Sequence, residues 1–91
     1  MKIIIVANVE KVSEIRKTKK GTAFADVVLG TLPPLGGHYK THRVKAFGTL
    51  AEYCVLNLRK GARVYGEGEL KDGVITAQIL KPLAETATPR F

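Results

Sequence analysis

One segment of this chain breaks step with the rest. Between Thr49 and Leu58 the residues Leu50, Tyr53, Cys54, Asn57 and Leu58 recur at three- and four-residue steps, the spacing of a helix face. On both sides the apolar residues alternate or run in short β-branched stretches, which is the mark of strands. Ile3–Val9 reads as a first strand, Thr22–Leu29 as a second and Tyr39–Phe47 as a third. Alternation resumes over Arg63–Leu70 and Val74–Leu80, a fourth and a fifth strand. The order is three strands, one helix, two strands.

The connections are legible too. Glu10–Gly21 is polar and carries Arg16, Lys17, Lys19 and Lys20 into a Gly-Thr turn. Gly30–Gly37 holds two prolines and three glycines, which exclude regular structure. Thr49 and Glu52 stand at capping-box spacing at the start of the helix, and Gly61 is placed to end it in a left-handed conformation. Gly66 and Gly68, two apart in the fourth strand, mark where a small barrel bends sharply. Asp72-Gly73 supplies a hairpin turn. From Lys81 onward the pattern is lost, so residues 1–81 are expected to form the domain and 82–91 a flexible tail.

A single helix between strands 3 and 4 of an all-β, five-stranded Greek-key barrel is the arrangement of the OB-fold, which takes oligonucleotides or oligosaccharides on its strand 2–3 face. With 91 residues the chain is one domain, and it buries only about three-fifths of its unfolded surface, so assembly with further copies is a natural source of stability. Fifteen Lys and Arg against eight Asp and Glu give a net charge of +7. That excess points to an anionic partner, most simply nucleic acid. Charge alone does not choose between nucleic acid, an anionic membrane and an acidic protein. The helix shows no basic amphipathic face, however, and no apolar run is long enough to span a bilayer, so no membrane role is expected.

On the third strand, side chains of one parity share a face. Tyr39, Thr41, Arg43, Lys45 and Phe47 fall on one side, His42, Val44 and Ala46 on the other. The first set is cationic and aromatic. Cations that track phosphates and rings that stack bases are what hold a single strand, and no acid lies between Asp26 and Glu52 to oppose them. Alternation by itself leaves Phe47 open between a binding face and the core, and leaves the lysines open between contact and solvation.

The stretch His42-Arg43-Val44-Lys45-Ala46-Phe47-Gly48-Thr49-Leu50-Ala51-Glu52, followed by Leu58-Arg59-Lys60-Gly61-Ala62-Arg63-Val64-Tyr65-Gly66-Glu67-Gly68-Glu69-Leu70, resembles the bacterial-type single-stranded DNA-binding protein family. Glu14-Ile15-Arg16 and Gly21-Thr22-Ala23 agree more loosely. The resemblance spans residues 3 to 80. It implies an OB-fold that binds single-stranded DNA without strong sequence preference, with Arg43 and Phe47 at matching motif positions; the strand face and the first hairpin loop add Arg16, Lys17, Lys19, Lys20, Tyr39, Thr41 and Lys45 as candidate contacts. It further implies a homo-oligomer, dimer or tetramer, paired through the first strand (Ile3, Ile5) with His42 near the subunit contact. Replication, recombination or repair in the cytoplasm, at the nucleoid, is the implied setting. Three features depart from the family pattern: the loops are short, tryptophan is absent, and the acidic C-terminal tail has no counterpart. They bring in a second class of function, an OB-fold adaptor of the primosomal replication protein N type that mainly contacts replication proteins.

Nothing in the sequence supports catalysis, and neither cofactor nor metal is expected. His38 and His42 are four apart on a strand, roughly 13 Å, too far to share one ion. The single cysteine, Cys54, precludes an internal disulfide and fits a reducing compartment. Gly66-Glu67-Gly68 lies inside a strand rather than before a helix and is no phosphate loop.

Overall fold

The computed structural model describes residues 1–31 and 37–83. Its first strand, β1 (Lys2–Val12), is longer than the apolar run that nucleates it, because it serves two partners. Lys2–Asn8 pair antiparallel with β5 (Arg63–Lys71), and Asn8–Val12 pair with β3 (Ala23–Thr31). A bulge between Val9 and Lys11 lets the strand turn from one partner to the other. A two-residue strand, β2 (Arg16–Lys17), lies against the start of β3. β4 (Lys40–Phe47) pairs along the whole of β3, from Phe24↔Phe47 to Thr31↔Lys40. β5 and β6 (Val74–Pro82) form a hairpin, and β6 returns to pair parallel with β4. The sequence β1–β5–β6–β4–β3–β1 closes a five-stranded barrel, an OB-fold, with α1 (Thr49–Asn57) between its third and fourth long strands.

The core follows from the alternation. Val9, Ala25, Val27, Leu29, Val44, Ala46, Val64, Ile75 and Leu80 point inward from the strands, and Ala51, Cys54 and Leu58 from α1 and its end cover them. The helix begins differently from the expected capping box. Its N-cap is Gly48, at φ 64, and no side chain caps it. Gly48 turns the chain from β4 while its N–H donates to the Ala23 carbonyl at 2.8 Å; Thr49 is already helical, so its hydroxyl is misplaced to serve as the cap. Gly61 is left-handed as expected, at φ 92, but it does not end the helix. The helix stops at an extended C-cap, Leu58, and Gly61 serves the turn into β5, donating to the Val9 carbonyl at 2.7 Å.

The fourth-strand glycines act through space rather than dihedral freedom. The β5–β6 register shifts between Glu67 and Gly68, and a Cβ on Gly68 would overlap the Thr76 carbonyl oxygen. Close backbone approach at a bulge is what bends this wall of the barrel. Asp72 (φ 52) and Gly73 (φ 80) make the tight hairpin turn their dipeptide predicts. β6 runs past Leu80 to Pro82, and Leu83 N–H donates to the Arg63 carbonyl at 2.8 Å. Most of the expected 30–37 loop, and the expected tail from residue 84, lie outside the described residues.

Candidate nucleic-acid interface

The outer face of β3 and β4 is built by register. Opposite one another stand Gly30 and Thr41, Val28 and Arg43, Asp26 and Lys45, Phe24 and Phe47. All are of outward parity, since Ala25, Val27, Leu29, Val44 and Ala46 between them are buried. Thr41 and Arg43 are exposed and Lys45 is half-buried. Phe47 is 38% exposed and takes no part in the core.

Two aromatic groups lie at the ends of this face. At one, the Phe24 and Phe47 rings sit with centroids 6.1 Å apart, tilted by 39°. The Lys45 ammonium lies over the Phe24 ring, 5.1 Å from its centre, a cation–π contact that sets a charge on that ring's face. At the other end Tyr39, 46% exposed, lays its ring over Gly30, in space that a Cβ there would fill. From Tyr39 to Phe47 an extended strand covers about 26 Å, room for several stacked nucleotides.

Cations frame the rings. The bulged half of β1 brings Lys11 opposite Val28, so Lys11, Val28 and Arg43 form one row across three strands. The β2–β3 hairpin carries Lys17, Lys19 and Lys20, all exposed, past the Phe24 end. Its turn is fixed by Thr18, whose N–H donates to the Thr22 carbonyl at 2.9 Å and whose Oγ1 accepts from Thr22 N–H at 3.1 Å. Among the described residues, none of these lysines makes an ion pair. Arg16 does: its Nη1 lies 3.9 Å from Asp26 Oδ2.

Phe24 and Lys11 escaped the sequence reading. Phe24 follows the Gly21-Thr22 turn by two residues, on the parity of Asp26 and Val28, and that parity was the available signal. Lys11 had none, because the bulge at Glu10 reverses the alternation that would have placed it.

The opposite wall has another character. Ile3 and Ile5 are half-buried against the core, whereas Ile4 (63%) and Val6 (43%) are the side chains β1 presents to solvent. Ile4 stands opposite Glu67, and Glu67 opposite the exposed Ile79. The Tyr65 hydroxyl donates to Glu67, which holds that carboxyl below its ordinary range and pushes the phenol up; Lys2, 3.6 Å away, acts on Glu67 in the same direction. Among the described residues, the edge of β1 away from β5 has no strand partner along Lys2–Ala7. His42, on the inward parity of β4, places Nε2 3.1 Å from Thr31 Oγ1. No three His, Cys, Asp or Glu side chains among the described residues are grouped to hold a metal.

A closed five-stranded barrel with its helix in this position is an OB-fold, an architecture that takes oligonucleotides or oligosaccharides on the face where this chain carries its rings and cations. The model of the single-strand binding protein family matches residues 1–81, and the chain belongs to that family, whose members bind single-stranded DNA. Among solved structures, the SSB domain of a protein from Synechococcus sp. superposes with a TM-score of 0.76 at 22% identity, covering 87% of this chain and 91% of that one. PriB from Ralstonia solanacearum superposes with a TM-score of 0.75 at 14% identity, covering 89% and 95%. These likenesses establish the fold.

Proposed function

We propose that this protein binds single-stranded DNA without strong sequence preference, on the β3–β4 face, and serves to protect or organise strands exposed in replication, recombination or repair. The observation that carries this reading is the Phe24–Phe47 ring pair on the outer face, with the Lys45 ammonium over the Phe24 ring. Bases stack on the ring pair and on Tyr39, each worth about 1–3 kcal/mol. Arg43, Lys45, Lys11 and the hairpin lysines 17, 19 and 20 take the phosphates, and Thr41 lies along the track. Without indoles, stacking carries less of the affinity and phosphate contacts more. Titration of fluorescent oligo-dT at several salt concentrations tests this: affinity should fall steeply, with a log–log slope of about −0.7 per neutralised phosphate. Absence of binding at low salt would overturn it.

The same protein is expected to work as a homo-oligomer, dimer or tetramer, in the cytoplasm at the nucleoid. The edge of β1 that has no partner among the described residues, with Ile4 and Val6 exposed beside it, supports assembly between copies. A stable particle of about 10 kDa at micromolar concentration in sedimentation would refute it. One observation favours a second, adaptor reading: α1 turns Leu56 (72% exposed) and Tyr53 outward, surface that a replication protein would cover. Helicase capture combined with weak oligo-dT binding would select it.

A further inference from the structure

The β3–β4 face carries a single acid among its described residues. Asp26 stands between Phe24 and Val28 on β3, opposite Lys45. Its backbone is pinned by Ser13: Asp26 N–H donates to Ser13 Oγ at 2.9 Å, and the Asp26 carbonyl accepts from Ser13 N–H at 2.9 Å. The side chain is about one-third exposed. Arg16 is 3.9 Å away, an ion pair beyond hydrogen-bond length. Lys45, the cation nearest in register, is turned over the Phe24 ring instead. Among the described residues the carboxylate therefore accepts no hydrogen bond, and its acceptor sites are open on a face of rings.

Positions two apart on a strand are separated by about 7 Å, so a base laid on the Phe24–Phe47 pair brings its edge towards Asp26. An ionised carboxylate can only accept, and it accepts best from two adjacent N–H groups. Guanine offers that pair on its Watson–Crick edge, N1–H beside the N2 amino group. Thymine offers one N–H between two carbonyl oxygens, which a carboxylate repels. We propose that Asp26 is a base-selecting residue: it superimposes a preference for guanine over thymine on binding that is otherwise carried by phosphates and stacking. This rests on the β3–β4 face being the single-strand site. The competing role for Asp26 is a counter-charge to Arg16, which would alter all sequences alike.

Fluorescence anisotropy with the full chain separates the two. The probes are oligo-dT, an oligomer of equal length with isolated deoxyguanosines, and a third with inosine, which lacks the N2 amino group, at the same positions. The wild-type protein should bind the guanine oligomer about fivefold or more tighter than oligo-dT, with the inosine oligomer between. Asp26→Ala should bring the guanine-to-thymine ratio within about twofold, with Asp26→Asn, which keeps the shape and one acceptor, in between. Equal affinity of the wild-type protein for all three oligomers would overturn the proposal without using any variant. So would an Asp26→Ala that tightens every oligomer by one factor. Failure to bind any of them would overturn the assignment of the face itself.

Discussion

Truncating either ring of the Phe24–Phe47 pair to leucine separates stacking from charge. Phe47 is 38% exposed and Phe24 half-buried, so leucine at either position keeps an apolar side chain on a strand that tolerates one. Neither change alters a charge. Phe47→Leu should lower affinity for oligo-dT by about 1–3 kcal/mol, roughly 5- to 150-fold, with the salt slope unchanged. Loss of the aromatic pair costs about 0.5–1.5 kcal/mol of folding stability, which for a domain this size lowers Tm by several degrees. Phe24→Leu removes the same pair and also the ring beneath Lys45. It should lose comparable stacking but release the ammonium towards phosphate, so its net loss should be the smaller. Because the rings touch as one platform, the double variant should lose less than the sum of the singles. The measurements are anisotropy titrations over a range of salt, with thermal melts followed by circular dichroism. If Phe47→Leu lowers Tm but stays within about twofold of wild-type affinity, the rings are structural and the face is wrongly assigned.

Arg43→Ala should flatten the salt slope by about 0.7 and weaken all homopolymers alike, read from the same titrations, because a phosphate contact carries no base information. Gly68→Ala should abolish the cooperative melt: its Cβ would overlap the Thr76 carbonyl and lie 3.0 Å from the Ala77 Cα, backbone that the β5–β6 hairpin cannot move. Burial pushes the Cys54 thiol up to about 11, so at pH 8 only about one thiol in a thousand is ionised. A disulfide reagent should leave the native protein unmodified at that pH and react at once after unfolding.

The order of elements was readable because each was written in its own period. Strand alternation and helical spacing are local signals, and Asp72-Gly73 carries its turn in two residues. What the sequence misplaced were features decided by neighbours in space. Thr49 and Glu52 have capping-box spacing, yet Gly48 takes the cap, because the chain must turn sharply out of β4 while its N–H reaches back to Ala23. Gly61 is left-handed for the sake of a contact with Val9, not for the helix before it.

The candidate site divides along the same line. Parity within β4 is intrinsic to one strand, so Arg43, Lys45 and Phe47 could be placed on one face from their spacing alone. Phe24 becomes a partner of Phe47 only through the β3–β4 register, and register is set by the packing of Ala25, Val27, Val44 and Ala46 beneath it. Lys11 joins the face through a bulge, and a bulge is one extra residue that no periodicity reveals. On β1 the parity itself is what decides: Ile3, Ile5 and Ala7 turn towards the core, so the apolar surface of the strand is Ile4 and Val6. A run of β-branched residues announces a strand, but the closure of the barrel decides which of them meets solvent.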